Sequence, residues 1–188
     1  MLNYENILLA DLDDELSAEE REALARNTRL LVETGLAVGV EPGEAMGLSQ
    51  DYFDAVHEMA GRYYGNQRYA EAVTLFSRLV QLKPTEVAYL LGLGACMLAL
   101  ERYEEAELSY TMACKYAPLE PEPNYYLGLS QYFQKKYSPA FDNLRFARVL
   151  DEQQARSGSP FGPWCTQLLE RLLPLVPPEQ AARIDQRP

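Results

Sequence analysis

The stretch YLLGLGACMLALERYEEAELSYTMACKYAP, Tyr89 to Pro118, decides the fold. Its first half is almost wholly apolar, yet it carries Gly92 and Gly94 where a helix would disfavour them by about 1 kcal/mol each. Sliding the chain against itself by 34 residues explains one of the two. Tyr69 falls on Tyr103 and Tyr137, and Ala72 on Ala106 and Ala140; Pro84 falls on Pro118. Ala60, Gly94 and Gly128 share a register, preceded by Met59, Leu93 and Leu127, and Phe76, Tyr110 and Leu144 share another. Gly94 is therefore a repeat position reserved for a small residue. Gly92, whose equivalents are Glu58 and Tyr126, is not.

A fixed period of this length with small, aromatic and proline positions is the signature of the tetratricopeptide repeat, and the chain resembles that family. The expected fold is all-α: a helical solenoid of three helix-turn-helix repeats, about 53–86, 87–120 and 121–154, within 49–154. In each repeat a helix A crosses a helix B closely at the small position. The tyrosines Tyr69, Tyr103 and Tyr137 open helix B and wedge against helix A, and Pro84 and Pro118 end it by removing an N–H donor. The third repeat has Glu152 at that place, so its B helix should run on.

The flanks carry weaker signals. Ser17-Ala-Glu-Glu20 reads as a capping box. It predicts a helix over about 18–38 with an apolar stripe at Leu24, Leu31 and Val38, making residues 1–48 a helical arm suited to pairing two copies. Val40–Gly43 should break that helix, a turn should form around Glu44–Leu48, and Ser49 should cap the first repeat. Beyond the third repeat, residues 155–188 hold a breaker cluster at Ser157–Pro163, a capping helix over Trp164–Leu173 and a tail expected to fray from Pro174.

Composition narrows the function. The chain has 188 residues, 47% hydrophobic and 24% charged, with a formal net charge of −11. That charge disfavours nucleic acid, which is bound through Lys and Arg. No apolar run approaches the length of about 18 residues needed to cross a membrane. The acidic N-terminal stretch is unlike a signal peptide, and the 3 cysteines lack metal-type spacing and read as reduced thiols, so the expected compartment is the cytoplasm. The 1 histidine, His57, leaves no basis for a histidine triad or a His-rich metal site. Gly92-x-Gly94 has no preceding strand to make it a phosphate loop. No enzyme, metal or cofactor is expected.

Function should then lie on the face lined by the A helices, where such arrays bind peptides. The resemblance places Asp54, His57, Gly61, Tyr64 and Gly65 of the first repeat there. It adds Ala88, Leu91, Ala95, Leu98 and Ala99 of the second, and Glu122, Tyr125, Leu129, Tyr132 and Phe133 of the third. All but Glu122 in the second and third sets are uncharged and apolar or aromatic. The expected peptide-binding residues are Tyr64, Ala88, Leu91, Ala95, Leu98, Tyr125, Leu129, Tyr132 and Phe133. A second reading has the chain's own ends, for instance the Trp164 helix, filling part of this face. A carboxylate clamp of the kind that holds heat-shock chaperone tails is absent, since Asp54 and Glu122 would repel an acidic peptide.

Two further stretches sharpen the resemblance. Tyr89-Leu-Leu-Gly-Leu-Gly-Ala-Cys96 and Gly47-Leu-Ser-Gln-Asp51 are similar to stretches of the class II chaperones of bacterial type III secretion. The likeness runs over about 44–152; the arm is longer and more acidic than usual, and the segment after Gln153 has no counterpart. It implies a cytoplasmic chaperone that holds an extended apolar segment of secreted, pore-forming translocators, without ATP, and that pairs through its N-terminal helices. A generic repeat scaffold and a regulatory adaptor for another partner stay open as alternatives.

Overall fold

The computed structural model describes residue 26, residues 39–154 and residues 159–184; the predicted capping box, the 18–38 helix and its stripe lie outside the described residues. Two compact bodies divide the chain between Tyr89 and Leu90. The described residues form helices α1 (Pro42–Ala45), α2 (Gln50–Gly65), α3 (Tyr69–Leu82), α4 (Val87–Ala99), α5 (Tyr103–Tyr116), α6 (Pro121–Phe133), α7 (Tyr137–Gln154), α8 (Phe161–Leu172) and α9 (Pro178–Ala181), with a 3-10 turn at Leu173–Leu175.

The repeat register sets the core. Ala72, Ala106 and Ala140 have no exposed surface, and Phe76, Tyr110 and Leu144 lie four residues further on, one turn along the same face. Leu79, Ala113 and Ala147 complete each buried stripe. Against it, helix A must present a residue with no bulk. A Cβ on Gly94 would sit 2.6 Å from the Tyr110 ring, and one on Gly128 would sit 2.7 Å from Leu144 Cγ and 3.1 Å from the Ala140 carbonyl. The glycine positions therefore admit the large B-helix side chain. In the first pair Ala60 takes the place, fully buried.

Helix ends follow local chemistry. Ser49 caps α2, its hydroxyl accepting the Tyr52 N–H at 3.3 Å. Tyr69, Tyr103 and Tyr137 are the first residues of their helices. The Tyr69 ring meets Tyr64 edge-on at 5.4 Å, and Tyr137 meets Tyr132 at 6.2 Å, so both wedge against their own A helix. α3 and α5 stop two residues short of Pro84 and Pro118, whereas α7, lacking that proline, continues to Gln154. The A-to-B turns share a feature the sequence does not advertise. Gln67, Glu101 and Lys135, again 34 residues apart, adopt positive φ of 61°, 59° and 62°. That left-handed residue lets the next N–H (Arg68, Arg102, Lys136) bond the carbonyls of Tyr63, Met97 and Gln131 at 2.9 Å, closing a helix C-terminus without glycine.

Three expectations change. Pro42 opens α1, since a proline at the first position forfeits no hydrogen bond. The turn expected around Glu44–Leu48 accordingly starts earlier, and Gly47 (φ 70°) ends it. The last long helix begins at Phe161 rather than Trp164, because Pro163 falls in its first turn, where no N–H is needed. The tail does not fray through Ile184. Val176 and Gln180 are buried, the Gln180 side chain donates to the Ser138 carbonyl at 2.9 Å, and the Arg148 guanidinium donates to the Ile184 carbonyl.

The glycines give a paired test. Gly94→Ala should lower the melting temperature, since its methyl group collides with Tyr110 and overpacking of this kind costs about 1–3 kcal/mol. Gly61→Ala, on the same helix type with nothing within 4 Å of the new Cβ, should raise it, by about 0.5–1 kcal/mol of helix propensity. Thermal melts followed by circular dichroism check both signs.

Candidate functional site

The A helices present the residues read from the sequence. In the N-terminal body, Tyr64 on α2 is 39% exposed, and Ala88 at the start of α4 is exposed. In the C-terminal body, Leu91, Ala95 and Leu98 recur at i, i+4 and i+7 on α4, so they share one face, and each is half-buried. Tyr125, Leu129 and Tyr132 repeat that spacing on α6 and are likewise half-buried, while Phe133 is 46% exposed. None of the nine belongs to the buried core. The most buried residues of each A helix, Gly94 and Cys96 on α4 and Leu127, Gly128 and Ser130 on α6, lie on other faces, while Tyr125, Leu129 and Tyr132 also pack in part against the buried cluster of α7 and α8.

In the third pair the face is organised by aromatic rings. Tyr126 stacks on Tyr110 with centroids 5.4 Å apart, and Tyr125 packs edge-on to Tyr126 at 5.1 Å. Tyr125 also meets Phe161 at 5.7 Å and Trp164 at 5.6 Å, both from α8. Tyr132 touches Phe133, whose ring stacks on Tyr103 at 5.0 Å. At Tyr125, then, the chain's own C-terminal helix takes up part of the face, as the second reading of the sequence allows. Burial, with Cys165 and Tyr126 nearby, pushes the Tyr125 phenol up to about 12, so it is a neutral hydroxyl at physiological pH. Burial also raises Glu122, with Glu120 adding to it.

A polar network fastens this face from behind. Glu107 on α5 accepts from the Gln131 amide at 3.0 Å, the Gln134 amide at 2.8 Å and Lys136 Nζ at 2.7 Å. Gln131 in turn accepts from Asn143 on α7 at 2.8 Å. One carboxylate thus ties together α5, α6 and the turn into α7. Its partners come from 24 or more residues away, and no local pattern marks them.

Nucleophilic chemistry finds no support in the thiols. Burial raises Cys96 and Cys114 to about 11, and burial with Asp151 nearby raises Cys165 to about 12, so all three are protonated at neutral pH. Among the described residues no group of three or more His, Cys, Asp or Glu is placed to hold a metal ion, and no helix is long and apolar enough to cross a membrane. A cleft of about 260 Å³ beside the A-to-B turn is lined by Glu101, Arg102, Tyr103, Glu104, Glu105 and Gln134. None of the nine candidate residues lines it, and its one cation, Arg102, is paired with Glu105.

These helix pairs define a tetratricopeptide-repeat fold, and a family model described as Tetratricopeptide repeat matches residues 63–118. Solved structures resemble about two thirds or more of the chain. A type III secretion complex from Aeromonas hydrophila superposes with a TM-score of 0.70 at 22% identity, covering 75% of this chain and 93% of that one. PcrH, known from Pseudomonas aeruginosa, in complex with the chaperone-binding region of PopD, gives 0.65 at 24%, covering 69% and 96%. The Yersinia enterocolitica secretion chaperone SycD with a peptide of the translocator YopD gives 0.60 at 23%, covering 66% and 94%. No curated protein sequence matches the chain.

The Glu107 network has a pH signature. Burial alone would raise this carboxyl, but Lys136, Gln131 and Gln134 outweigh it and hold the group below the usual carboxylate range. A depressed folded value means the stabilisation is complete above the unfolded value and disappears as pH falls through the folded one. Glu107→Gln should cost about 1 kcal/mol at neutral pH and nothing at strongly acidic pH, so its melting temperature should converge with wild type on acidification. Melts across that range check the convergence.

Proposed function

We propose that the chain is a cytoplasmic, non-enzymatic chaperone of a bacterial type III secretion system, holding an extended apolar segment of a translocator against its A-helix face. One observation carries the reading: two successive A helices offer uncharged, half-buried faces at matching registers, Leu91–Ala95–Leu98 and Tyr125–Leu129–Tyr132. Similar structures support it: PcrH is known in complex with the chaperone-binding regions of PopD and PopB, and SycD with a YopD peptide. Reduced, protonated cysteines fit a reducing compartment.

The physics suits reversible holding. Small Ala95 lies beside Leu91 on α4, and an extended peptide seats about three apolar side chains along these faces. At roughly 1.5–3 kcal/mol each, less the cost of ordering the peptide, affinity falls near the micromolar range, tight enough to shield an aggregation-prone segment and loose enough to release it. The net charge of −11 keeps the complex soluble.

Co-expression with candidate translocators followed by pull-down tests the partner class. Replacing both Leu91 and Tyr125 by Glu should abolish capture while the helical circular-dichroism signal survives; capture at the wild-type level would refute the face.

Residues 1–48 are proposed to pair two copies through the stripe Leu24, Leu31 and Val38, since an apolar stripe needs a cover. One similar structure of SycD is described as an alternative dimer. Deleting residues 1–40 should leave the helix pairs folded and halve the mass seen by light scattering. An unchanged mass would remove the arm from that role.

A further inference from the structure

α8 is amphipathic in an unusual way. One face is sealed: Cys165, Leu168, Leu169 and Leu172 are buried in one cluster with Ala140, Phe141, Leu144 and Ala147 of α7. Those contacts account for the helix as a cap. They do not account for Trp164, which lies off that stripe and is 43% exposed. A cap needs no large aromatic ring at its solvent side, and leaving one partly exposed sacrifices apolar burial.

The ring's neighbours point to a use. Trp164 stands against Tyr125 at 5.6 Å and against Phe161, edge-on, at 5.7 Å, and Phe161 reaches Tyr126 at 6.3 Å. Trp164 therefore adjoins the Tyr125–Leu129–Tyr132 face and continues it past the third pair. The indole is held by rings that are themselves packed: Tyr126 is stacked on Tyr110, and Gly162 is fixed by its N–H bonding the Asp151 carboxylate at 2.9 Å. A rigid, half-exposed tryptophan beside a half-buried tyrosine is the composition of a binding hot spot, with large contact area and little side-chain entropy to lose.

We propose that α8 is part of the client-binding face, and that Trp164, with Tyr125 and Phe161, forms a seat for one further apolar side chain of the extended client segment. This rests on the A-helix reading above and lengthens it by one helix: the face runs beyond the repeats that the period defines. The occupant is an uncharged aliphatic or proline side chain, because the walls are aromatic and the one ionisable wall group, the Tyr125 hydroxyl, stays neutral.

Trp164 is the chain's only tryptophan, so its fluorescence reports this seat alone. Peptides of the PopD and PopB chaperone-binding regions and the YopD peptide are titrated into the full-length protein, followed by calorimetry and by tryptophan emission. Binding heat together with a blue-shifted or quenched emission is expected. Trp164→Ala should weaken binding about tenfold, while its melting temperature stays near wild type because the buried stripe of α8 is untouched; Trp164→Phe should recover part of the loss. Binding heat with unchanged emission, and an affinity unaffected by Trp164→Ala, would overturn the seat and leave the A-helix reading standing. No binding heat from any peptide would overturn both. The emission measurement needs no variant, so the outcome is readable even if Trp164→Ala folds poorly.

Discussion

The distance between the A and B helices within a pair governs this molecule. A large B-helix residue, Tyr110 or Leu144, can point at helix A only if the opposing position has no side chain, and Gly94 and Gly128 meet that demand with no room for even a methyl group. The helix propensity lost at each glycine, about 1 kcal/mol, is offset by the burial of a whole tyrosine or leucine. Because the crossing is fixed there, the remaining faces of the A helix are fixed too. Leu91, Ala95 and Leu98 fall on the surface because Gly94 and Cys96 are turned inward.

This constraint explains what the sequence reveals. A side chain that must be small, large or absent at one point in every pair leaves a trace at a constant interval, and the helix pairs, their tyrosine starts and the long α7 were legible from it. The left-handed residues Gln67, Glu101 and Lys135 share the interval yet stay hidden, since three different non-glycine residue types occupy a conformation that glycine usually marks. The role of Glu107 stays hidden for another reason: the donors to its carboxylate, Gln131, Gln134 and Lys136, are adjacent only after two helices have packed. The C-terminal segment was the least legible because it stands outside the period. Of its expected breaker residues, Ser159 and Pro160 precede α8 while Phe161, Gly162 and Pro163 form its first turn, and the hydrogen bonds from Arg148 and Gln180 that hold the tail depend on surfaces formed elsewhere in the fold.

The candidate face divides along the same line. Register alone indicated Leu91, Ala95, Leu98, Tyr125, Leu129, Tyr132 and Phe133, since position within a repeat carries their orientation. Phe161 and Trp164 have no register to be read from. Their place beside Tyr125 follows from α8 packing chiefly on α7 and only lightly on α6, so that its first turn is left beside the α6 rings.

The tail that folds back on α7 bears on how the molecule ends. A stack of like units has a terminal surface complementary to the surface at its own beginning, and such head-to-tail contacts do not close; repeated, they build filaments. Here the last surface is made unlike any other. α8 occupies it with a leucine stripe of different spacing, and Val176, Gln180 and Ile184 pack over what is left, clasped by arginine to backbone carbonyls. Covered in this way, α7 offers no bare face on which a further pair of the same kind could stack.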